Sequence, residues 1–247
     1  MGTYVLIHGS WHGGWCWDRV KPLLEKQGHR VMAPDLPGHG QDHTPVAEIT
    51  LQRFVDRVCQ VLDAQPEPVI LVGHSMGGIV ITQTSEARPD KIQALVYLCA
   101  FLPRNGESLL QLAQQDQETL ILPNLIIDEA QGYLAVKEEA IPEVFYQDCS
   151  PKDVAWAQAR LAPQEALTPV ATPVEISEDR FGRIPRVYIA CLRDQALGPS
   201  LQRQMYTATP CREVYSLNTG HSPFLSAPEA LTAHLLAVAE MVTVAGR

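Results

Sequence analysis

Short apolar runs alternate along this chain with longer stretches in which apolar residues recur at helical spacing. The runs fall at 3–7, 30–33, 69–72, 94–98, 186–190 and 213–217, and the helix-like stretches near 17–26, 51–64, 76–88, 201–206 and 228–242. Strands separated by helices predict a mostly parallel, six-stranded sheet covered by helices on both faces. Val69-Ile70-Leu71-Val72 is uninterrupted in its apolar character, as a strand buried on both sides requires.

The rhythm breaks between 103 and 184. This segment offers no clear buried strand and is rich in Gln, Glu, Ala and Pro. It reads as short helices interrupted at Pro123, Pro142, Pro151, Pro163, Pro169 and Pro173. An insertion of this size between the fourth and fifth predicted strands is expected to form a helical lid over the site. The expected organisation is a core in two parts, 1–102 and 185–247, with a cap at 103–184.

At 247 residues the chain is long enough for one large domain with a well-buried core. A formal net charge of −9 disfavours nucleic acid and anionic membrane surfaces as partners. No apolar stretch reaches the roughly 18 residues of a membrane span. The first apolar run, Tyr4-Val5-Leu6-Ile7, is too short for a signal-peptide core and lacks a basic leader, so a cytoplasmic location is expected. The six cysteines form no CxxC pair and read as reduced, several of them as small core residues. Without zinc-ligand spacing, an HExxH or a dinucleotide fingerprint, neither metal nor cofactor is expected. Nothing in the pattern decides against a homodimer.

The chemistry begins at Gly73-His74-Ser75-Met76-Gly77, a G-x-S-x-G sequence between the apolar run 69–72 and the apolar start of a helix, Ile79-Val80-Ile81. That unit resembles the nucleophile elbow of the α/β hydrolases, in which a serine sits on a strained strand-to-helix turn. The resemblance implies the order Ser…Asp…His. Asp194 follows the strand at 186–190. His221 alone of the eight histidines falls between the last strand and the last helix. Ser75 is then the nucleophile, His221 the general base and Asp194 the group that orients the histidine. Asp179 is a weaker candidate acid, since it precedes its strand. Asp35 reads as structural, His8 as a donor to backbone, and His12 as a loop residue. His8-Gly9-Ser10 after the first strand matches the family's His-Gly pair, which implies an oxyanion hole made by the backbone N–H groups of Ser10 and Met76.

Tyr4 to Trp15, Gly73 to Gly78, Phe145-Tyr146-Gln147-Asp148-Cys149-Ser150-Pro151 and Gly220-His221 together resemble the plant methylesterase and hydroxynitrile lyase branch of that family, with its related bacterial esterases. The likeness spans nearly the whole chain. It implies a small-molecule ester as substrate, with hydroxynitrile lyase as the alternative reaction. The lyases carry a threonine where this chain has Gly9 and a lysine where it has Ser222. Both differences point toward ester hydrolysis. Trp11, Phe145, Tyr146, Trp156 and Phe224 are candidate pocket walls beside Gly9 and Ser222. Dehalogenase chemistry would need a carboxylate at position 75. A non-catalytic binding protein on the same scaffold is a second alternative, disfavoured because all three triad residue types are present.

Overall fold

The computed structural model describes residues 2–245. The described residues form nine strands: β1 (Thr3–Ile7), β2 (Arg30–Met32), β3 (Val69–His74), β4 (Ile92–Leu98), β5 (Leu125–Asp128), β6 (Tyr133–Val136), β7 (Glu165–Ala166), β8 (Arg186–Cys191) and β9 (Glu213–Leu217). Six of them make one sheet in the order β2-β1-β3-β4-β8-β9, with every neighbouring pair parallel. All six expected strands are present. All of β3, and β4 apart from Gln93, is buried, because helices cover both faces of a parallel sheet.

The helices are α1 (Lys21–Lys26), α2 (Leu51–Asp63), α3 (Gly77–Ala87), α4 (Leu109–Ala113), α5 (Ile141–Tyr146), α6 (Pro151–Gln158), α7 (Leu167–Ala171), α8 (Pro199–Ala208), α9 (Pro223–Ser226) and α10 (Pro228–Ala245). In α2 the buried residues Leu51, Phe54, Val55, Val58, Cys59 and Leu62 repeat at three- and four-residue steps, and Thr50 caps the first turn by accepting the Arg53 N–H. None of the six cysteines is disulfide-bonded, and four are buried. No described helix is long and apolar enough to cross a membrane.

The insertion between β4 and β8 departs from expectation. It is not purely helical: β5, β6 and β7 form a three-stranded antiparallel sheet. Leu125-Ile126-Ile127 gave no alternating signal because β5 is an edge strand and Ile126 and Ile127 are exposed. The prolines also act differently from the breaks expected of them. Pro151 opens α6 behind the Ser150 cap, and Pro142 lies in the first turn of α5, positions where a missing N–H costs nothing.

The strand order places the functional end of the sheet. After β1 the chain goes to β2 on one side, and then crosses to β3 on the other. The crevice outside the carboxyl ends of β1 and β3 is therefore a topological switch point, where ligands bind in open α/β sheets. The residues after β1 and β3 are His8 to Trp11 and Ser75.

Candidate active site

Backbone strain gathers at this end of the sheet. The described non-glycine residues with positive φ are Trp11 (60°), Ser75 (53°) and Cys99 (32°), which follow β1, β3 and β4. Each such residue costs on the order of 1–3 kcal/mol and persists only where its surroundings over-determine it. Around Ser75 they do. The Ser75 N–H donates to the Leu98 carbonyl at 3.3 Å, and its own carbonyl accepts from Phe101 at 3.1 Å and Gly78 at 3.0 Å. A side chain at Gly77 would put Cβ 2.8 Å from the carbonyl oxygens of both Ile7 and His8, so the turn can lie against β1 only with glycine there. On the other side, a Cβ at Gly9 would stand 2.7 Å from the Ser75 Cβ. The loop after β1 is thereby pressed directly onto Ser75.

His221 lies on the loop between β9 and α9, beside the elbow. Its ring centroid is 4.6 Å from that of His74, and its carbonyl accepts from His74 Nε2 at 2.9 Å. Its Nδ1–H donates to Asp194 Oδ2 at 2.8 Å, with both side chains buried. The Asp194 carboxylate is held further: Oδ1 accepts the N–H groups of Ala196 and Leu197 at 2.8 Å each, and Oδ2 accepts from Gln202 Nε2 at 3.3 Å. Gln202 is fully buried on α8, and no motif in the sequence marks it. Asp179 is exposed in a helical turn before β8, away from this network.

The loop after β1 is tied at three successive carbonyls. Gly9 O accepts from His8 Nδ1 and the His12 N–H, Ser10 O from His12 Nδ1, and Trp11 O from the Ala162 N–H. Among the described residues, neither the Ser10 N–H nor the Met76 N–H donates to a protein acceptor. Both flank Ser75, one through the Gly9 contact and one as its chain neighbour.

Three buried imidazoles lie here, two of them held neutral by their partners. His8 donates from Nδ1 and accepts the Leu36 N–H at Nε2. His12 donates from Nδ1 and accepts from the Tyr146 hydroxyl at 2.9 Å. His74 uses only Nε2. Burial presses all three below the usual imidazole range, with neighbouring histidines adding to it, and His12 is pushed down to about 3. None of the three suits a general base near neutral pH. The ligand atoms of His74, Cys99 and His221 lie within 4.8 Å of one another. His74 Nε2 and Cys99 Sγ both face the His221 carbonyl, however, so the cluster reads as a hydrogen-bonded brace for His221.

Ser75 opens into an apolar cavity of about 60 Å³. Ser10, Trp11 and Phe101 bound it from the core, and Leu110, Ala113, Ile121, Leu125, Leu134 and Val170 from the insertion. Of the expected pocket residues, Trp11 lines this cavity and Gly9 abuts Ser75 from behind. The others are corrected by the structure. Phe145 is buried between Trp11 and His221, with ring centroids 5.7 and 5.9 Å away, and lines a separate cavity beyond Trp11. Tyr146 is core and serves His12. Phe224 packs on Trp17 and His74. Ser222 is fully buried with its hydroxyl unpaired, and Trp156 packs edge-on against Trp15 under Arg160. Aromatic residues near the motifs filled the core, while the walls are aliphatic residues of the insertion that no motif singles out.

A serine on a strained elbow at the switch point, with a buried His–Asp pair nearby, is the arrangement expected of a hydrolase on an α/β sheet. The chain belongs to the alpha/beta hydrolase family, whose model matches residues 4–234. Within it the chain is similar to plant methylesterases. It is 32% identical over 251 residues to Salicylic acid-binding protein 2 of Nicotiana tabacum, covering 96% of each chain. Its identity to Methylesterase 2 of Arabidopsis thaliana is also 32% over 251 residues, covering 96% of this chain and 95% of that one. Among solved structures it resembles a pyrethroid hydrolase from Sphingobium faniae, with a TM-score of 0.87 and 31% identity over 97% of each chain.

Proposed function

We propose that the chain is a cytoplasmic serine carboxylesterase acting on small to medium esters with apolar parts. Ser75 is the nucleophile, His221 the general base, Asp194 its orienting anion, and the N–H groups of Ser10 and Met76 the oxyanion donors. The observation that carries this reading is the buried His221–Asp194 pair set against His74, the chain neighbour of Ser75, with two unpaired N–H groups flanking that serine. The methylesterase and pyrethroid hydrolase to which the chain is similar support the reaction class.

In this mechanism Ser75 Oγ attacks the ester carbonyl carbon while its proton passes to His221 Nε2. The carbonyl oxygen takes up the electron pair and is held by the two N–H donors. Collapse of the tetrahedral species breaks the bond to the alcohol, which leaves with the proton from His221. Water, deprotonated by the same imidazole, then attacks the acyl-serine and releases the acid. Asp194 stabilises the transient imidazolium, and its three other donors hold it as an acceptor for the Nδ1–H.

A cavity of about 60 Å³ suits a short acyl chain. It is well below the ~150 Å³ that encloses a benzene ring, so an aromatic acid requires side chains of the insertion to part. Hydroxynitrile lyase is the weaker reading. The Gly9 position has no room for a threonine in this backbone, and the buried Ser222 hydroxyl supplies no cation for departing cyanide.

The test is Ser75→Ala on p-nitrophenyl acetate, with a fluorophosphonate probe mapped by mass spectrometry. We expect the probe on Ser75 of the parent enzyme, and a loss of about 10⁴-fold or more in the variant with unchanged unfolding. Near-parental turnover in the variant would overturn the reading, and mandelonitrile cleavage matching ester hydrolysis would favour the lyase.

A further inference from the structure

Glu165 of β7 is fully buried in the insertion and faces the core. Its Oε2 accepts two hydrogen bonds, from the Trp11 N–H at 3.1 Å and from His39 Nε2 at 3.0 Å, and Oε1 accepts the Ala166 N–H at 3.1 Å. His39 is buried too, and its Nδ1 faces the Pro37 carbonyl at 3.0 Å. With an acceptor at each ring nitrogen, His39 is an imidazolium. A carboxylate and a cation buried together, with every oxygen used, form a geometrically demanding arrangement. What it grips is Trp11, whose backbone is left-handed and which directly follows Ser10. The insertion holds the same residue twice more, as Ala162 donates to its carbonyl at 2.7 Å and its indole donates to the Leu134 carbonyl at 3.3 Å.

We propose that Glu165, with His39 behind it, is a positioning residue for the oxyanion-binding loop. By holding Trp11 in its strained conformation, it aims the Ser10 N–H at the oxygen that becomes negative in the transition state. The proposal rests on the reading of Ser75 and Ser10 given above. An oxyanion donor acts chiefly in the transition state, so its misplacement lowers kcat and leaves KM nearly unchanged. A residue that merely held the fold together would lower the folded fraction and leave the ratio of transition-state to ground-state binding as it was.

Glu165→Met is the direct variant. It keeps a similar side-chain length but leaves both the Trp11 N–H and His39 without the acceptor that Oε2 now supplies. We expect kcat on p-nitrophenyl acetate to fall about 10- to 100-fold with KM within about threefold, as for a weakened oxyanion donor. Affinity for a trifluoromethyl ketone, whose serine adduct carries an oxyanion, should fall in step with kcat. Affinity for the product acid should not. The double variant His39→Leu/Glu165→Met keeps the test decisive if the single variant folds poorly, since an apolar pair of similar volume relieves the buried charge. It should regain unfolding stability while kcat stays low. Recovery of kcat together with stability, or an unchanged kcat in a folded Glu165→Met, would overturn the proposal. Failure of the fluorophosphonate to modify Ser75 in the parent enzyme would instead overturn the nucleophile assignment, and the proposal with it.

Discussion

Mild acid should unfold this protein through its neutral buried histidines. His8, His12 and His74 stay unprotonated in the folded state well below the ordinary imidazole value, with His12 at about 3. In the unfolded chain each takes up a proton near pH 6.5. A group whose folded pKa is depressed contributes stability that is present above the unfolded pKa and lost as pH falls below it. At pH 5 the lost contribution is about 2 kcal/mol per histidine, or roughly 5–6 kcal/mol for three, with a limiting slope near 4 kcal/mol per pH unit. That is comparable to the whole stability of many domains, about 5–15 kcal/mol. His39 has the opposite sign. Burial lowers its pKa, but the Glu165 carboxylate and the Pro37 carbonyl together raise it above the ordinary value. Its contribution is fully present below pH 6.5 and is lost only as pH rises, so it does not cushion the fall from 6 to 5. Carboxylates held low, such as Asp42 and Asp153, matter only nearer pH 4. The assay is urea unfolding followed by tryptophan fluorescence at pH 7, 6 and 5 at constant ionic strength. His12→Gln should lower the stability at pH 7 but cut the pH slope by about a third. A flat stability between pH 7 and 5 would refute the reasoning, since the three imidazoles would then accept protons without unfolding.

Other outcomes follow from the site. Asp194→Asn should lower kcat by about 10³- to 10⁴-fold, because the amide cannot serve the His221 Nδ1–H and its other donors together; Asp179→Asn should leave kcat unchanged, and the reverse pattern would reassign the acid. Ser75→Gly should abolish turnover yet raise the unfolding free energy by about 1 kcal/mol in a urea titration, since glycine accepts φ 53° without strain. Prolonged dialysis against EDTA should leave kcat/KM unchanged, and a loss restored by zinc would reveal a metal requirement.

The core sheet was legible because its strands are buried on both faces and stay apolar for their whole length, as Val69–His74 does. The His221–Asp194 pair was legible because each residue follows a core strand, in the order that the elbow resemblance implies. The insertion was not. Exposure of Ile126 and Ile127 hid β5, and helix-starting prolines resembled breaks. Position near a motif misled for the pocket. Tyr146 and Phe224 stand close in sequence to the site's motifs but support His12 and His74, while the cavity wall comes from Leu110, Ile121 and Leu134. Glu165 gave no signal, since a lone glutamate in a polar segment looks like any solvated one until His39 and Trp11 are seen against it.

The three bonds from Trp11 to Leu134, Ala162 and Glu165 also limit how freely the cap could be exchanged. An insertion that enters and leaves between adjacent strands looks like a module that could be swapped from a relative to change substrate range. Here the loop after β1 is completed by that module. A graft that supplies a new pocket wall but no buried acceptor at the position of Glu165 leaves the Trp11 N–H and His39 stranded in the interior. Chimeras should therefore succeed in register with this contact, and the unit that can be traded is the insertion together with residues 8–12 and His39.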